Sequence, residues 1–284
     1  MLVPTMTPEE IYAEMRKDAL WLQNKMNDKL IPEARKKVKR AKRYPYITSY
    51  VLKSENTNIE YRAVFFAYQH RDWENPRCIL YTKYAHESGK TLVYLEQNRF
   101  AIRLYTHHFL HRYRERLSER AEELSALANL DFELYFIIQN WDVEEMRTIN
   151  YMINADPDSE LAKIIKSQME KSRFWQDPDY ERYSAACLSG VCLCERHKSN
   201  PNISIYDTFI NISMLKLTQL VDFIPAYSRV FLEKLCYCYP RQRRIIANEW
   251  NEFVDNVPHD ENALDAMIDK ICELTTRYPL SAVL

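Results

Sequence analysis

Five extended runs that follow one another in the first half of the chain constrain its fold most. Each run is rich in Tyr, Ile, Val or Phe, and turn-forming residues at 54–58 and 86–89 separate some of them. The runs cover residues 46–52, 59–68, 78–84, 91–95 and 100–104. This pattern predicts an antiparallel meander of about four or five strands.

Three later extended runs, at residues 183–188, 191–195 and 203–210, are expected to join the same sheet. Helical patterns precede, separate and follow the strands. The first begins at the capping sequence Thr7-Pro8-Glu9-Glu10, and a central one is expected over residues 143–153, where Asp142 and Glu145 form another capping pair. The predicted fold class is α+β: an antiparallel sheet of about seven strands with N-terminal, central and C-terminal helices.

A polar loop at residues 173–180 is the best candidate for a domain boundary. It contains the sequence Asp177-Pro178-Asp179. We therefore expect one part over residues 1–172, with the first helix, the meander and the central helices, and another over residues 173–284, with the later hairpin and the C-terminal helices. The two parts are expected to pack as one body.

The scarcity of glycine excludes several classes of binding site. The chain has 2 glycines in 284 residues, whereas average usage of about 7% would give roughly 20. A dinucleotide fingerprint needs three closely spaced glycines and a phosphate loop needs two. The sequence Ser88-Gly89-Lys90-Thr91 ends like a phosphate loop, but a strand pattern follows it where a helix is required, so we predict a hairpin turn. No dinucleotide and no other cofactor is expected.

A strongly basic helix precedes the meander. Its cationic residues are Arg35, Lys36, Lys37, Lys39, Arg40, Lys42 and Arg43, and the aromatic residues Tyr44 and Tyr46 follow them. Such a helix can neutralise several phosphates of a nucleic acid. Alternatively, its cations pair with the acidic C-terminal helices, since the net charge of −1 gives the whole chain no attraction to polyanions. The acidic residues there are Glu249, Glu252, Asp255, Asp260, Glu261, Asp265, Asp269 and Glu273.

Three of the 7 histidines lie within the run from Thr106 to Arg116. On a helix, His108, Arg112 and Arg116 share one face because they are four residues apart. An imidazole beside guanidinium groups suits metal-independent RNA cleavage, with His108 as acid or base and the two arginines as phosphate clamps. Alternatively, His107, His111 and Glu115 on the adjacent face bind a divalent metal, or the helix is a solvated basic face in which Glu115 pairs with an arginine.

Residues 105–116 resemble the pattern (aromatic)-Thr-x-His-x-(Leu/aromatic)-x-Arg-Tyr-x-Glu-Arg of an uncharacterised protein family from Bacteroidetes-type bacteria. The helix is also distantly similar to that of barnase/colicin/RelE-type nucleases, in which His-x-x-x-Arg-x-x-x-Arg packs against a sheet that supplies further polar groups. The nuclease resemblance implies catalytic roles for His108, Arg112 and Arg116. It also implies Tyr206 and Thr208 as partners from a strand.

The cysteines admit a metal interpretation that we do not favour. Cys192 and Cys194 with His197, and Cys236 with Cys238, could share an ion, but apolar residues stand between the paired thiols. Buried, reduced cysteines account for the pattern better. No apolar run approaches the roughly 18 residues of a membrane span, and no secretion signal is visible. We therefore predict a cytoplasmic protein without a membrane partner.

These observations favour a nucleic-acid-binding protein with RNA as its partner and RNase-like chemistry at His108. The alternatives are a non-enzymatic interaction module, which holds a protein partner through its acidic C-terminal helices, and a divalent-metal-binding protein.

Overall fold

The computed structural model describes residues 2–86, 89–96, 100–115, 144–145, 179–211, 214–215, 217–256 and 263–278. These residues belong to two compact units. The first unit comprises Met1–Gln139 and Cys194–Phe209, and the second comprises Asn140–Leu193 and Ile210–Val283. The boundary expected between residues 172 and 173 lies outside the described residues.

Nine strands are found in the described part of the chain, hydrogen-bonded in the order β1-β2-β3-β4-β5-β9-β8-β7-β6. The first five form the predicted antiparallel meander, and β5 then pairs in parallel with β9. The strands are β1 (Tyr46–Lys53), β2 (Glu60–Ala67), β3 (Arg77–His86), β4 (Gly89–Glu96), β5 (Ala101–Tyr105), β6 (Glu144–Glu145), β7 (Tyr180–Cys187), β8 (Gly190–His197) and β9 (Ile203–Asn211). The α+β class is confirmed, although the expected number of strands was too low.

The helices also follow the predicted order. They are α1 (Pro8–Arg16), α2 (Ala19–Lys25), α3 (Ile31–Arg40), α4 (His107–Glu115), α5 (Leu217–Cys238), α6 (Arg243–Asn256) and α7 (Ala263–Arg277). A π-helical turn, Met26–Leu30, joins α2 to α3. The capping box predicted for α1 is present, because Thr7 Oγ1 accepts from the Glu10 amide while the Glu10 carboxylate accepts from the Thr7 amide.

One predicted central helix is wrong at its start. Residues 143–153 were expected to be helical, but Glu144 and Glu145 form β6 and pair with Ala186 and Ala185 of β7. The capping pair Asp142 and Glu145 is a local signal. At Glu144 and Glu145, hydrogen bonding to the distant strand β7 prevails over this local preference for a helix. Pairing with a strand far away in sequence cannot be recognised from a local pattern. The rest of this segment lies outside the described residues.

The first unit buries apolar residues between α1–α3 and one face of the meander. Its core includes Ile11 and Met15 of α1, Val38 of α3, and Phe65 and Val93 of the sheet. Successive side chains of a strand point to opposite faces, so alternate residues of each strand face these helices. Helix α4 packs on the other face, where it meets β5 and β9.

A buried carboxylate ties the helices to the β1–β2 hairpin. Asp18 is completely buried, and its oxygens accept hydrogen bonds from the hydroxyl groups of Ser54 (2.6 Å), Tyr61 (2.9 Å) and Thr57. Burial and the adjacent Asp18 carboxylate raise the pKa of Tyr61, which keeps its hydroxyl a donor. The hydroxyl groups thus satisfy a charge that is costly to bury alone.

The second unit packs α5, α6 and α7 with residues of β7 and β8. Phe223 and Ile224 of α5 bury against Ala186 and Val191. Further along α5, a second cluster contains Phe231, Leu235, Ile246, Trp250 and Leu274. Among the residues that the structure describes, no helix combines the length and the apolar character that crossing a bilayer requires.

Candidate functional site

Helix α3 exposes all of its cationic side chains. Ala34 and Val38, four residues apart, are fully buried and fix the inner face of the helix. At about 100° per residue, the cations of the helix cover an arc of roughly 200° on the outer side. The seven exposed residues, here named the basic surface, are Arg35, Lys36, Lys37, Lys39, Arg40, Lys42 and Arg43.

Within the first unit, no carboxylate of the described residues forms an ion pair with the basic surface. Two of its lysines instead contact aromatic rings. The Lys37 ammonium group lies 4.5 Å from the centre of the Tyr50 ring, and that of Lys39 lies 4.4 Å from the centre of the Trp73 ring. Aromatic faces attract cations without neutralising them. The basic surface therefore keeps its net positive charge.

The acidic C-terminal helices make their own ion pairs. Glu249 of α6 accepts from Lys270 Nζ (2.7 Å), and its two carboxylate oxygens accept from Nη1 of Arg277 (2.9 and 2.8 Å), which joins α6 to α7. Glu273 also pairs with Lys270 and Arg277. The hydrogen bond from Lys270 lowers the pKa of Glu249, and Arg277 adds to this effect while partial burial opposes it. Asp260 and Glu261 lie outside the described residues.

The loop between β2 and β3 lies beside α3. The Asp72 carboxylate is buried and accepts from the amides of Tyr68 (2.8 Å) and Gln69 (3.1 Å). These bonds hold a 3₁₀ turn, His70–Trp73. The turn leaves His70 and Arg71 exposed and Trp73 half-buried. An additional cation, Arg71, and one more ring, that of His70, thus lie next to the basic surface.

Tyr44 connects the end of α3 to this loop. Its hydroxyl donates a 2.7 Å hydrogen bond to the carbonyl of Val38, and its ring meets the His70 ring edge to face at 6.4 Å between centroids. Burial, together with the charge of Asp72, raises the pKa of Tyr44, so its hydroxyl stays protonated. The position of the loop relative to the helix is therefore fixed by specific contacts.

Helix α4 presents the predicted histidine and arginine side chains to solvent. Thr106 caps it by accepting from the Phe109 amide (3.1 Å) and donates to the carbonyl of Asp207 in β9 (3.1 Å). Phe109 and Tyr113 are buried on the inner side, whereas His108 and Arg112 are exposed. Arg116, the second arginine clamp of the predicted site, lies outside the described residues.

The strand residues expected to assist His108 have different environments. Tyr206 is 2% exposed and packs against Tyr105 (4.7 Å between centroids) and Phe109 (5.9 Å). It belongs to the core beneath α4 and cannot meet a substrate at the solvent face of the helix. Thr208 is half-buried on the same strand. The structure therefore does not bring Tyr206 and His108 together in a cleft.

The residues considered for metal binding do not converge. The Glu115 carboxylate lies 3.1 Å from Arg112 and 3.4 Å from His111, while the rings of His107 and His111 are 6.1 Å apart. Within the described ranges, no three His, Cys, Asp or Glu side chains are arranged to hold a metal ion. This includes Cys192, Cys194 and His197, and Cys236 and Cys238. Cys192 and Cys194 are buried, as the apolar interpretation predicts.

Trp73 and His70 could not be assigned to the basic surface from the sequence. Both lie in a polar connection between two strands, and nothing in the local pattern links them to α3. A tryptophan in a turn between strands was the available signal, since such a residue is rarely left in a polar loop without a contact or a function.

Comparison with known proteins yields no relative: no protein-family model matches the chain, and neither a curated protein nor a solved structure matches it significantly. The resemblances of residues 105–116 therefore stay predictions.

Proposed function

We propose that this protein binds nucleic acid through the basic surface. The observation that carries the proposal is the set of seven exposed cations without a carboxylate partner among the described residues of the first unit. A polyanion releases counterions when such groups approach its phosphates, which makes binding favourable and dependent on salt. Within the first unit, no described carboxylate pairs with these cations.

Hydrolysis of RNA at α4 is not part of this proposal. Tyr206, the strand partner implied for His108, is buried in the core. Arg112 donates to Glu115 (3.1 Å), which offsets part of its charge. The phosphate-binding role thus falls to α3, and α4 serves mainly to cover the sheet.

The proposal is tested by measuring the affinity of the protein for a fluorescently labelled, mixed-sequence RNA by fluorescence anisotropy. The test variant is Arg35→Gln/Lys36→Gln/Arg40→Gln, because these three side chains make no contact within the described residues whose loss would disturb the fold. The matched control is Arg241→Gln/Arg243→Gln/Arg244→Gln, which removes three exposed arginines of the second unit. We expect a loss of affinity of about tenfold or more in the test variant and little change in the control.

Equal losses of affinity in both variants would contradict the proposal, because they would show only a nonspecific effect of net charge. Absence of RNA binding by the unaltered protein would refute it. The same RNA, incubated with protein in excess EDTA and run on a gel, tests the excluded cleavage step. We expect intact RNA. Fragments that disappear with His108→Ala would restore the RNase hypothesis.

A further inference from the structure

Planar side chains lie directly beside the cations of the basic surface. Trp73 is half-buried under Lys39, with the ammonium group 4.4 Å from the ring centre. His70, at the start of the turn that ends at Trp73, forms an edge-to-face pair with Tyr44. Aromatic rings can stack with another flat group, and cations beside them attract a charged backbone.

These rings are held in place before any ligand arrives. Asp72 accepts two amide hydrogen bonds that fix the turn carrying Trp73, and the Tyr44 hydroxyl is bonded to Val38. Ordering a mobile loop would subtract from the binding free energy, and a preformed surface avoids that loss.

We infer that the nucleic acid bound by the basic surface is single-stranded and stacks a base at Trp73, beside the cation of Lys39. The inference rests on the proposed function and names its ligand class. In a duplex, both faces of each internal base are covered by neighbouring bases, so a protein ring meets only phosphates and groove edges. In a single strand, the base faces are free, and base–aromatic stacking combined with a cationic groove is the usual mode of binding. RNA and DNA share this chemistry.

The test compares probes of about 12 nucleotides, within the usual site size for such surfaces. They are one sequence as single-stranded RNA, the same sequence as single-stranded DNA, and each as a blunt duplex. The variants are Trp73→Leu, which removes the ring, and Trp73→Phe, which keeps an aromatic face. We expect Trp73→Leu to weaken the binding of both single-stranded probes about fivefold or more and to leave the binding of the duplexes unchanged. Trp73→Phe should retain most of the affinity.

The salt dependence separates stacking from charge. Trp73→Leu removes no cation, so the slope of log affinity against log salt should stay unchanged, whereas Lys39→Gln should lower the slope by about 0.7. Thermal unfolding of each variant establishes that it is folded. If the unaltered protein binds duplex as tightly as single strands, or if Trp73→Leu binds normally, the inference fails while the proposed function stands. If no probe binds, both fail.

Discussion

The ring of Tyr206 lies 4.7 Å from the ring of Tyr105, at paired positions of the parallel strands β9 and β5. Phe109 of α4 covers both rings. This contact joins residues about a hundred positions apart in the chain and closes the core beneath α4. It also explains why a tyrosine that looked like a catalytic partner of His108 is a packing residue.

Replacement of Tyr206 by alanine should therefore destabilise the protein by about 3–5 kcal/mol, because a large aromatic side chain is removed from a close-packed site. Thr208→Ala on the same strand should cost less than about 1 kcal/mol. Urea unfolding followed by circular dichroism measures both. Tyr206→Phe serves as the control and should leave RNA binding unchanged. A Tyr206→Ala variant of normal stability would contradict the assignment to the core.

The Asp18 carboxylate predicts a second large effect on stability. Asp18→Ala leaves the hydroxyl groups of Ser54, Thr57 and Tyr61 without their acceptor, and we expect a loss of about 2–4 kcal/mol in the free energy of unfolding. Asp28 is exposed on the neighbouring π-helical turn. The matched change Asp28→Ala should be nearly neutral. Similar losses for the two variants would show that the buried hydrogen bonds do not stabilise the junction.

Gly89 and His107 should be energetically coupled. Gly89 has φ of +120°, and a Cβ atom added there would lie 2.6 Å from Cγ of His107. Gly89→Ala therefore suffers both backbone strain and a collision. His107→Ala removes the contacts with the ring and keeps the strain and the 3.0 Å approach to Cβ of residue 107. Gly89→Ala should therefore cost less in that background, by about 1 kcal/mol in a double-mutant cycle. Strictly additive effects would mean that His107 moves aside without cost.

Because Glu249 forms ion pairs, we expect the free energy of unfolding to depend on pH. Lys270 and Arg277 hold the pKa of Glu249 below its ordinary value of 4.5, so they stabilise the folded state fully above that pH. The contribution disappears as the pH falls through the lower pKa of the folded state. Glu249→Gln should thus reduce the free energy of unfolding by about 1 kcal/mol at pH 7.

The measurement for Glu249 is urea unfolding of both proteins between neutral pH and about pH 3. The difference between Glu249→Gln and the unaltered protein should shrink as the pH falls. Glu252→Gln, on the same helix and exposed, is the control and should show no such convergence. A difference that is constant with pH would contradict the ion-pair account.

The meander and the helices that flank it could be predicted because their signals are local. Strand patterns, the Gly89 turn and the Thr7 capping box are each contained in a few residues. The parallel pair β5–β9 and the short strand β6 depend on partners distant in sequence, so no local pattern could align them.

The candidate site likewise has features that a local pattern predicts and features that depend on distant contacts. The basic surface was visible because its cations lie close together in sequence and a helix with Ala34 and Val38 inside must expose those of α3. The position of Trp73 depends on how the β2–β3 loop packs against α3. The burial of Tyr206 depends on which sheet face α4 covers, and strand alternation shows that two faces exist without showing which one is covered.

The most direct test of the central claim is the salt dependence of RNA binding. Each phosphate contact by a cation contributes about 0.7 to the slope of log affinity against log salt for a single strand. Arg35→Gln/Lys36→Gln/Arg40→Gln should therefore bind single-stranded RNA with a slope smaller by about 2 than the unaltered protein. The control Arg241→Gln/Arg243→Gln/Arg244→Gln should keep the full slope. Equal slopes for the unaltered protein and the α3 variant would contradict the claim that the basic surface contacts phosphates.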